Sequence, residues 1–347
     1  MRHSLIPGPR PAALGGRPGT RYRAGMTKRP RVTVVGSVNM DISVTVPTLP
    51  GPGMTVLGSA ARFSPGGKGG NQAVAAARLG AEVRMVGCVG DDAFGAQLLA
   101  GLRAEQVNTD HVRVAEGTPT GLAMIAVDRA GENLIIVAPG ANHEVGPDDI
   151  AAAHLGDVLV ISAEIPVPAI RSALAHPRGA LRILNLAPVP PDAAAIIADY
   201  ADRLDWLVVN ESEAAALLGR PPGTPAGPDA ATEAAAALVT AGARHAVVTA
   251  GAHGAALAGP DGVAAIEGFH VRAVDTVGAG DTFVGALAVA LAAGVPPAAA
   301  VRAAAAAGAA AVTRPGAQTA MPHPHDILAI TGLNWPVTER LSYTSDR

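Results

Sequence analysis

Trp206-Leu-Val-Val-Asn210 is a five-residue apolar run that passes straight into Glu211-Ser-Glu-Ala-Ala-Ala-Leu-Leu218. It reads as a buried strand followed by a helix over Ser212–Leu218. The same beat repeats around it. Strands at Asp157–Ser162, Arg182–Asn185 and Ala246–Thr249 alternate with helices at Pro168–Ala175, Pro191–Ala198 and Asp229–Ala241. Apolar strands separated by helices predict a parallel sheet covered on both faces. Upstream, Arg31–Gly36 and Val83–Val89 read as further buried strands, and Gln72–Leu79 and Asp92–Arg103 as helices. Two extended pieces, about 39–64 and 118–137, break this rhythm. Within them Ile42–Val46 and Thr55–Ala61 alternate like exposed strands, and Gly121–Val127 with Asn133–Val137 flanks a turn as a hairpin. They predict a small separate β-sheet lying over a site. In open sheets ligands sit at the carboxyl ends of the strands. Gly36, Ser162, Asn185, Asn210 and Thr249 all fall there.

Composition narrows the class. The chain has 347 residues, 49% of them hydrophobic and 16% charged, with a net charge of -3. That suits a compact soluble protein of one large or two small domains, and gives no electrostatic case for nucleic-acid binding. The single cysteine, Cys88, excludes an internal disulfide framework and fits a reducing compartment, hence the cytoplasm. Residues 1–30 are rich in Arg, Pro and Gly, without periodicity and without the apolar core of a secretory signal. They are expected to form a disordered extension, with Met26 as an alternative start, and 336–347 a C-terminal tail. The apolar run from Ala298 onward is interrupted by Arg302 and Arg314, so no membrane span is expected.

The densest chemistry lies in Ala273-Val-Asp-Thr-Val-Gly-Ala-Gly-Asp-Thr-Phe283. The glycine-framed turn Gly278-Ala279-Gly280 feeds a helix read over Thr282–Ala293. Such a junction offers unpaired amides and the positive end of the helix dipole, a cradle for an anion. A carboxylate there, Asp281, repels phosphate but suits a general base beside it. The pattern proposes phosphoryl transfer to an alcohol; an ordinary loop-to-helix junction reads the same way. Asn39 and Asp41, beyond the first strand, could grip two hydroxyls of a polyol or simply cap a turn. Gly66-Gly67-Lys68-Gly69-Gly70-Asn71 is not a phosphate P-loop, because Gly69 follows the lysine where Ser or Thr belongs. Its glycines let a ligand approach the backbone, with Lys68 and Asn71 as donors. Apart from Lys28, Lys68 is the only lysine in an otherwise Arg-based chain, which suggests that the position needs a compact ammonium. Glu164 ends an apolar strand and could accept a sugar hydroxyl or stand as a solvated loop acid. Asn210 and Glu213 could hold hydrated Mg2+, or be a helix N-terminus with stabilising acids. Thr249-Ala250-Gly251-Ala252-His253-Gly254 is a turn that could pass under a nucleotide, His253 reading as a surface residue. The ten histidines show no metal-ligand spacing.

Together these segments resemble the ribokinase-like (PfkB) family of sugar kinases. The likeness runs from about Arg31 to about Pro322. It is carried by Gly-Ser-Val-Asn-Met-Asp41, the run from Gly66 to Gly80, Val-Gly-Asp-Asp-Ala-Phe-Gly95, Asn-Glu-Ser-Glu213, Asp-Thr-Val-Gly-Ala-Gly-Asp281 and Ala-Val-Thr-Arg-Pro-Gly-Ala-Gln318. The resemblance implies a three-layer α/β/α Rossmann-like domain over 31–335, with a β-sheet lid from about 39–64 and 118–137 that serves as a homodimer interface. It implies that Asn39, Asp41, Gly66, Gly67, Lys68, Asn71 and Glu164 hold the sugar and that Asp281 takes the proton from its primary hydroxyl. The amides of Gly278, Ala279 and Gly280 would stabilise the transferring phosphoryl group. Asn210 and Glu213 would organise Mg2+ and the phosphates. Thr249, Ala250, Gly251, Ala252, His253, Gly254 and Ala305 would border ATP. Activation by K+ is implied too, at Asp275 with positions Val277, Ala311, Arg314, Gly316 and Ala320. Ala305 and Ala320 depart from the family, standing where a polar residue near the adenine and a small hydroxyl residue are usual. D-ribose, phosphorylated at its 5-hydroxyl, is the expected substrate. A fructose-type ketose, a nucleoside, or a non-catalytic sugar or nucleotide sensor are the alternatives. Aromatics make up only 3% of the chain, which favours a small, wholly polar substrate.

Overall fold

The computed structural model describes residues 29–177, 179–221 and 227–337. The predicted N-terminal extension and C-terminal tail therefore lie almost wholly outside the described residues. In chain order come β1 (Arg31–Val35), β2 (Asn39–Thr45), β3 (Arg62–Gly66), α1 (Lys68–Arg78), β4 (Glu82–Gly90), α2 (Ala93–Ala104), β5 (Val107–Ala115), β6 (Gly121–Val127) and β7 (Asn133–Ala138). Next are α3 (Pro147–Ala151), β8 (Val158–Ser162), α4 (Val167–Ala175), β9 (Leu181–Asn185), α5 (Ala193–Asp199), β10 (Trp206–Asn210) and α6 (Glu211–Leu217). The chain continues with α7 (Pro228–Thr240), β11 (His245–Thr249), β12 (Gly254–Gly259), β13 (Gly262–Glu267), α8 (Ala279–Ala292), α9 (Pro297–Ala311) and α10 (Pro324–Thr331).

Nine strands form one sheet in the order β13-β12-β11-β10-β9-β8-β1-β4-β5. It is parallel from β11 to β5, while β12 and β13 add antiparallel at one edge. Alternate residues of its strands point to opposite sides. Val34, Val160 and Val208 join α1, α8 and α9 in one core, and Val35, Ile161 and Val209 join the other. This is the expected parallel sheet with helices on both faces. The strand order turns back between β1 and β8, which places the switch point at their carboxyl ends. Four strands form a second, small sheet in the order β3-β2-β6-β7.

Several boundaries differ from the sequence reading. Thr55–Ala61 is not a strand; it reaches β2 only through Ser59, whose amide donates to the Thr45 carbonyl at 2.8 Å. The partner of β2 is instead β3, at Arg62–Gly66. Three strands carried no legible signal. β5 is an edge strand with charged and polar positions, β12 is almost entirely Ala and Gly, residues depleted in strands, and half of β13 is the same. Helix α1 begins at Lys68, inside what reads as a loop. Gly67, at φ 82, lets the chain turn, and a Cβ on Gly69 would stand 2.8 Å from the Gly36 Cα, so α1 lies directly on the end of β1. Helix α8 likewise begins at Ala279, within the glycine turn, with Gly278 left-handed at φ 76.

Candidate active site

Helices α1 and α8 set the geometry. A Cβ on Gly285 would lie 2.7 Å from the Gln72 carbonyl oxygen and 2.8 Å from the Ala75 Cβ. Only glycine lets the two helices approach this closely. One turn nearer each N-terminus, the same faces carry Asp281 on α8 and Asn71 and Gln72 on α1. Asn71 Nδ2 donates to Asp281 Oδ2 at 2.9 Å and Gln72 Nε2 to Oδ1 at 3.0 Å. Burial pushes the Asp281 pKa upward, Lys68 and the two amides pull it back, and the net direction is up.

The switch point supplies the next group. Ser37, just past β1, donates through Oγ to Glu164 Oε2 at 2.5 Å, and the Lys68 amide donates to the same oxygen at 3.1 Å. Glu164 thus ties the ends of β1 and β8 to the start of α1. Asn39 and Asp41 stand on β2 where the small sheet leaves the large one, and both are buried. A Cβ on Gly66 would strike the Asp41 carboxylate, so glycine there makes room for it. Burial, then Glu164 and Asp281, push the Asp41 pKa up to about 7 against the pull of Lys68. Burial opposes the Lys68 charge, yet Asp281, Glu164, Glu213 and Asp41 more than offset it and raise its pKa. One ammonium therefore stands among these carboxylates.

Beside this cluster runs a cleft of about 230 Å³ walled by Lys68, Asn185, Asn210, Glu213, Thr276, Gly278, Gly280 and Asp281. Asn210 and Glu213 form a reciprocal cap on α6: Asn210 Oδ1 accepts from the Glu213 amide and Glu213 Oε2 from the Asn210 amide, each at 2.8 Å. Burial raises the Glu213 pKa, opposed by that amide and by Lys68. At the head of α8 the Ala279 amide donates to the Thr276 carbonyl at 3.2 Å, whereas the Gly278 and Gly280 amides have no partner among the described hydrogen bonds. Of the three amides expected to serve the anion, that of Ala279 is thus engaged within the turn.

A second cleft, of about 310 Å³, shares Thr249, Thr276 and Gly280 with the first. Gly251, Ala252, Gly254, Ala305 and Gly308 line it, as do Phe269 and His270. Ala250 and His253 of the expected nucleotide set do not. Phe269 was missed because it follows β13, itself unread. Its ring carries the Arg302 guanidinium at 5.4 Å. Asn142 was missed too. It sits in a short 3-10 turn, donates to Asn39 Oδ1 at 2.6 Å and accepts from the Val38 amide at 2.8 Å, orienting Asn39.

Behind the α8 turn, Asp275 accepts from the Val277 amide at 3.0 Å and the Gly316 amide at 2.7 Å. The Val274 amide reaches the Val312 carbonyl at 2.7 Å. These bonds stitch the two loops carrying the expected cation ligands together. Each Asp275 oxygen holds one amide and keeps a further lone pair. Arg78, paired with Glu105, caps the Gln318 and Met321 carbonyls at 2.6 and 2.9 Å. Among the described residues no three His, Cys, Asp or Glu side chains cluster as a metal cage, and no helix is long and apolar enough to cross a membrane.

Comparison with known proteins places this geometry. The family model described as pfkB family carbohydrate kinase matches residues 29–324. A ribokinase from Schizosaccharomyces pombe is 39% identical over 305 residues, 84% of this chain and 94% of the relative. The crystal structure of ribokinase from Thermotoga maritima superposes with a TM-score of 0.76 at 33% identity, covering 86% of this chain and 98% of that one. Ribokinase from Arabidopsis thaliana, solved with ribose and ATP, superposes with a TM-score of 0.74 at 29% identity, covering 88% and 100%. The family model over most of the chain and the relative at 39% identity agree with the fold, and the chain belongs to the pfkB family of carbohydrate kinases.

Proposed function

We propose that this chain transfers the terminal phosphoryl group of ATP to the 5-hydroxyl of D-ribose, giving ribose 5-phosphate and ADP. The observation that carries the reading is the position of Asp281. It is bonded to α1 on the sugar side and lines the cleft that joins the nucleotide cleft on the other. The Arabidopsis ribokinase, similar over most of its length, was solved with ribose and ATP.

Asn39, Asp41, Lys68, Asn71 and Glu164 grip the sugar hydroxyls, and Gly66 and Gly67 let the ring approach the backbone. ATP lies along Thr249, Gly251, Ala252, Gly254 and Ala305, its phosphates toward Gly278 and Gly280. Asp281 accepts the proton of the 5-hydroxyl as that oxygen bonds to phosphorus, and the bond from phosphorus to the ADP oxygen breaks. The Gly278 and Gly280 amides and Lys68 offset the charge that develops. Mg2+, held through water by Glu213 near Asn210, would neutralise the phosphates. K+ at Asp275, with carbonyls of Val277, Ala311, Arg314 and Gly316, would fix the α8 turn from behind. Ala320 brings no side-chain oxygen to that set. The small sheet acts as a lid and pairs two copies into a homodimer, and the enzyme works in the cytoplasm.

ADP release across a panel of sugars and nucleosides tests the substrate. Ribose should show the highest kcat/KM, and equal or better turnover of fructose or adenosine would overturn it. In the same assay Na+ in place of K+ should slow turnover, and indifference to the cation removes the Asp275 site.

A further inference from the structure

We infer that Gln72 and Asn185 form a polarity relay that holds Asp281 in its ionised, proton-accepting form, so that Gln72 is a positioning residue for the base. This rests on the reading of Asp281 as general base. The relay starts at the Val208 carbonyl, which can only accept. Asn185 Nδ2 donates to it at 3.0 Å, so the amide of Asn185 must turn its Oδ1 the other way. Gln72 Nε2 donates to that Oδ1 at 3.0 Å, which in turn fixes the orientation of Gln72. The second hydrogen of the same nitrogen then points at Asp281 Oδ1, also at 3.0 Å. A backbone carbonyl thereby dictates, two side chains away, that a donor and never an acceptor faces the carboxylate.

The relay is buried throughout. Gln72 is 0% exposed and Asn185 7%. The Gln72 Oε1 and Asn71 Oδ1 atoms are buried without a hydrogen-bond partner. An unpartnered buried acceptor is costly, so both amides give up an acceptor contact in order to keep their N–H groups on Asp281. The charged groups facing Asp281 are Lys68 at the head of α1, Asp41 on β2, Glu164 beyond β8 and Glu213 on α6. Lys68 favours the ionised base, whereas the three carboxylates and burial oppose it. Hydrogen bonds to the charged form supply the remaining pull in its favour.

The test is the pH profile of kcat/KM for Gln72→Met and Gln72→Glu, with Asp281→Asn as reference. Gln72→Met keeps the shape but has no N–H, and should move the acid limb upward by about one pH unit. Turnover at high pH and KM for the sugar should stay near the parent's. Gln72→Glu sets an acceptor against the base and should move the limb further still. A side chain that merely packs would lower kcat by one factor at every pH, and an unmoved limb overturns the relay. Should either variant fail to fold, Asn185→Leu frees Gln72 from the far end and should move the limb in the same direction by less. Normal turnover in Asp281→Asn would instead sink the base itself. Lost turnover there, with a stationary limb in the Gln72 variants, sinks only the relay.

Discussion

Asp41 shows how function is built against stability. In the unfolded chain its carboxyl ionises at its ordinary value; in the folded protein burial and two neighbouring acids hold its proton until about 7. Folding therefore takes up a proton between those values, and the contribution of Asp41 to stability falls as pH climbs through that window. At ~1.4 kcal/mol per pKa unit, the full cost above neutrality is about 4 kcal/mol, an upper figure for a group that solvent still reaches. Asp41→Asn should be more stable than the parent at pH 8, the gap closing toward pH 4, while sugar affinity is lost. Urea titrations at several pH values check this, and a gap independent of pH would contradict it. Lys68 and Asp281 were legible as chemistry because each stands beside glycines that an ordinary helix would not carry, and Asp41 because it pairs with Asn39 just beyond the first strand. Gln72 and Asn142 were not. Each reads as an unremarkable polar residue, and its role exists only through a bond across 209 or 103 positions of chain.

Between elements, the decisive contact is α1 against α8. Gly285→Ala would drive a methyl into the Gln72 carbonyl and Ala75. It should cost about 1–3 kcal/mol through overpacking and lower kcat by lifting Asn71 and Gln72 away from Asp281. Gly101→Ala, on α2 with nothing within 4 Å of the added carbon, is the control. It should stabilise by about 0.5–1 kcal/mol. Denaturation midpoints and kcat for the pair separate a packing requirement from a general dislike of glycine in helices. The core strands and most helices were legible because apolar runs buried on both faces leave a continuous signal. The edge strands β5 and β13 were not, since an edge needs less apolar surface and is specified by its neighbour, and β12, paired on both sides, was hidden by its Ala and Gly composition.

At the scale of the whole molecule, the small sheet divides labour by its pleat. Asn39 and Asp41 share one face, turned to the site. Cross-strand pairing aligns Ile42 with Phe63 and Met124, and Met124 with Ile136, on the other. Phe63 is 54% exposed and Ile136 53%. An exposed apolar row of this kind marks an association surface, and the proposed homodimer would cover it. Met124→Glu with Ile136→Glu should give monomers by light scattering at concentrations where the parent is dimeric, and undiminished dimers would move the interface elsewhere.

Under the proposed reaction, the acids that crowd the single ammonium would also give the pocket a direction of traffic. A free sugar is neutral and feels little of that charge as it enters. Once phosphorylated it is an anion among Asp41, Glu164 and Asp281, and repulsion that costs nothing on arrival works on departure. The same imbalance turns away sugars that already bear a phosphate. The acids proposed to hold hydroxyls would therefore act as a valve, admitting the unphosphorylated sugar and expelling the finished one.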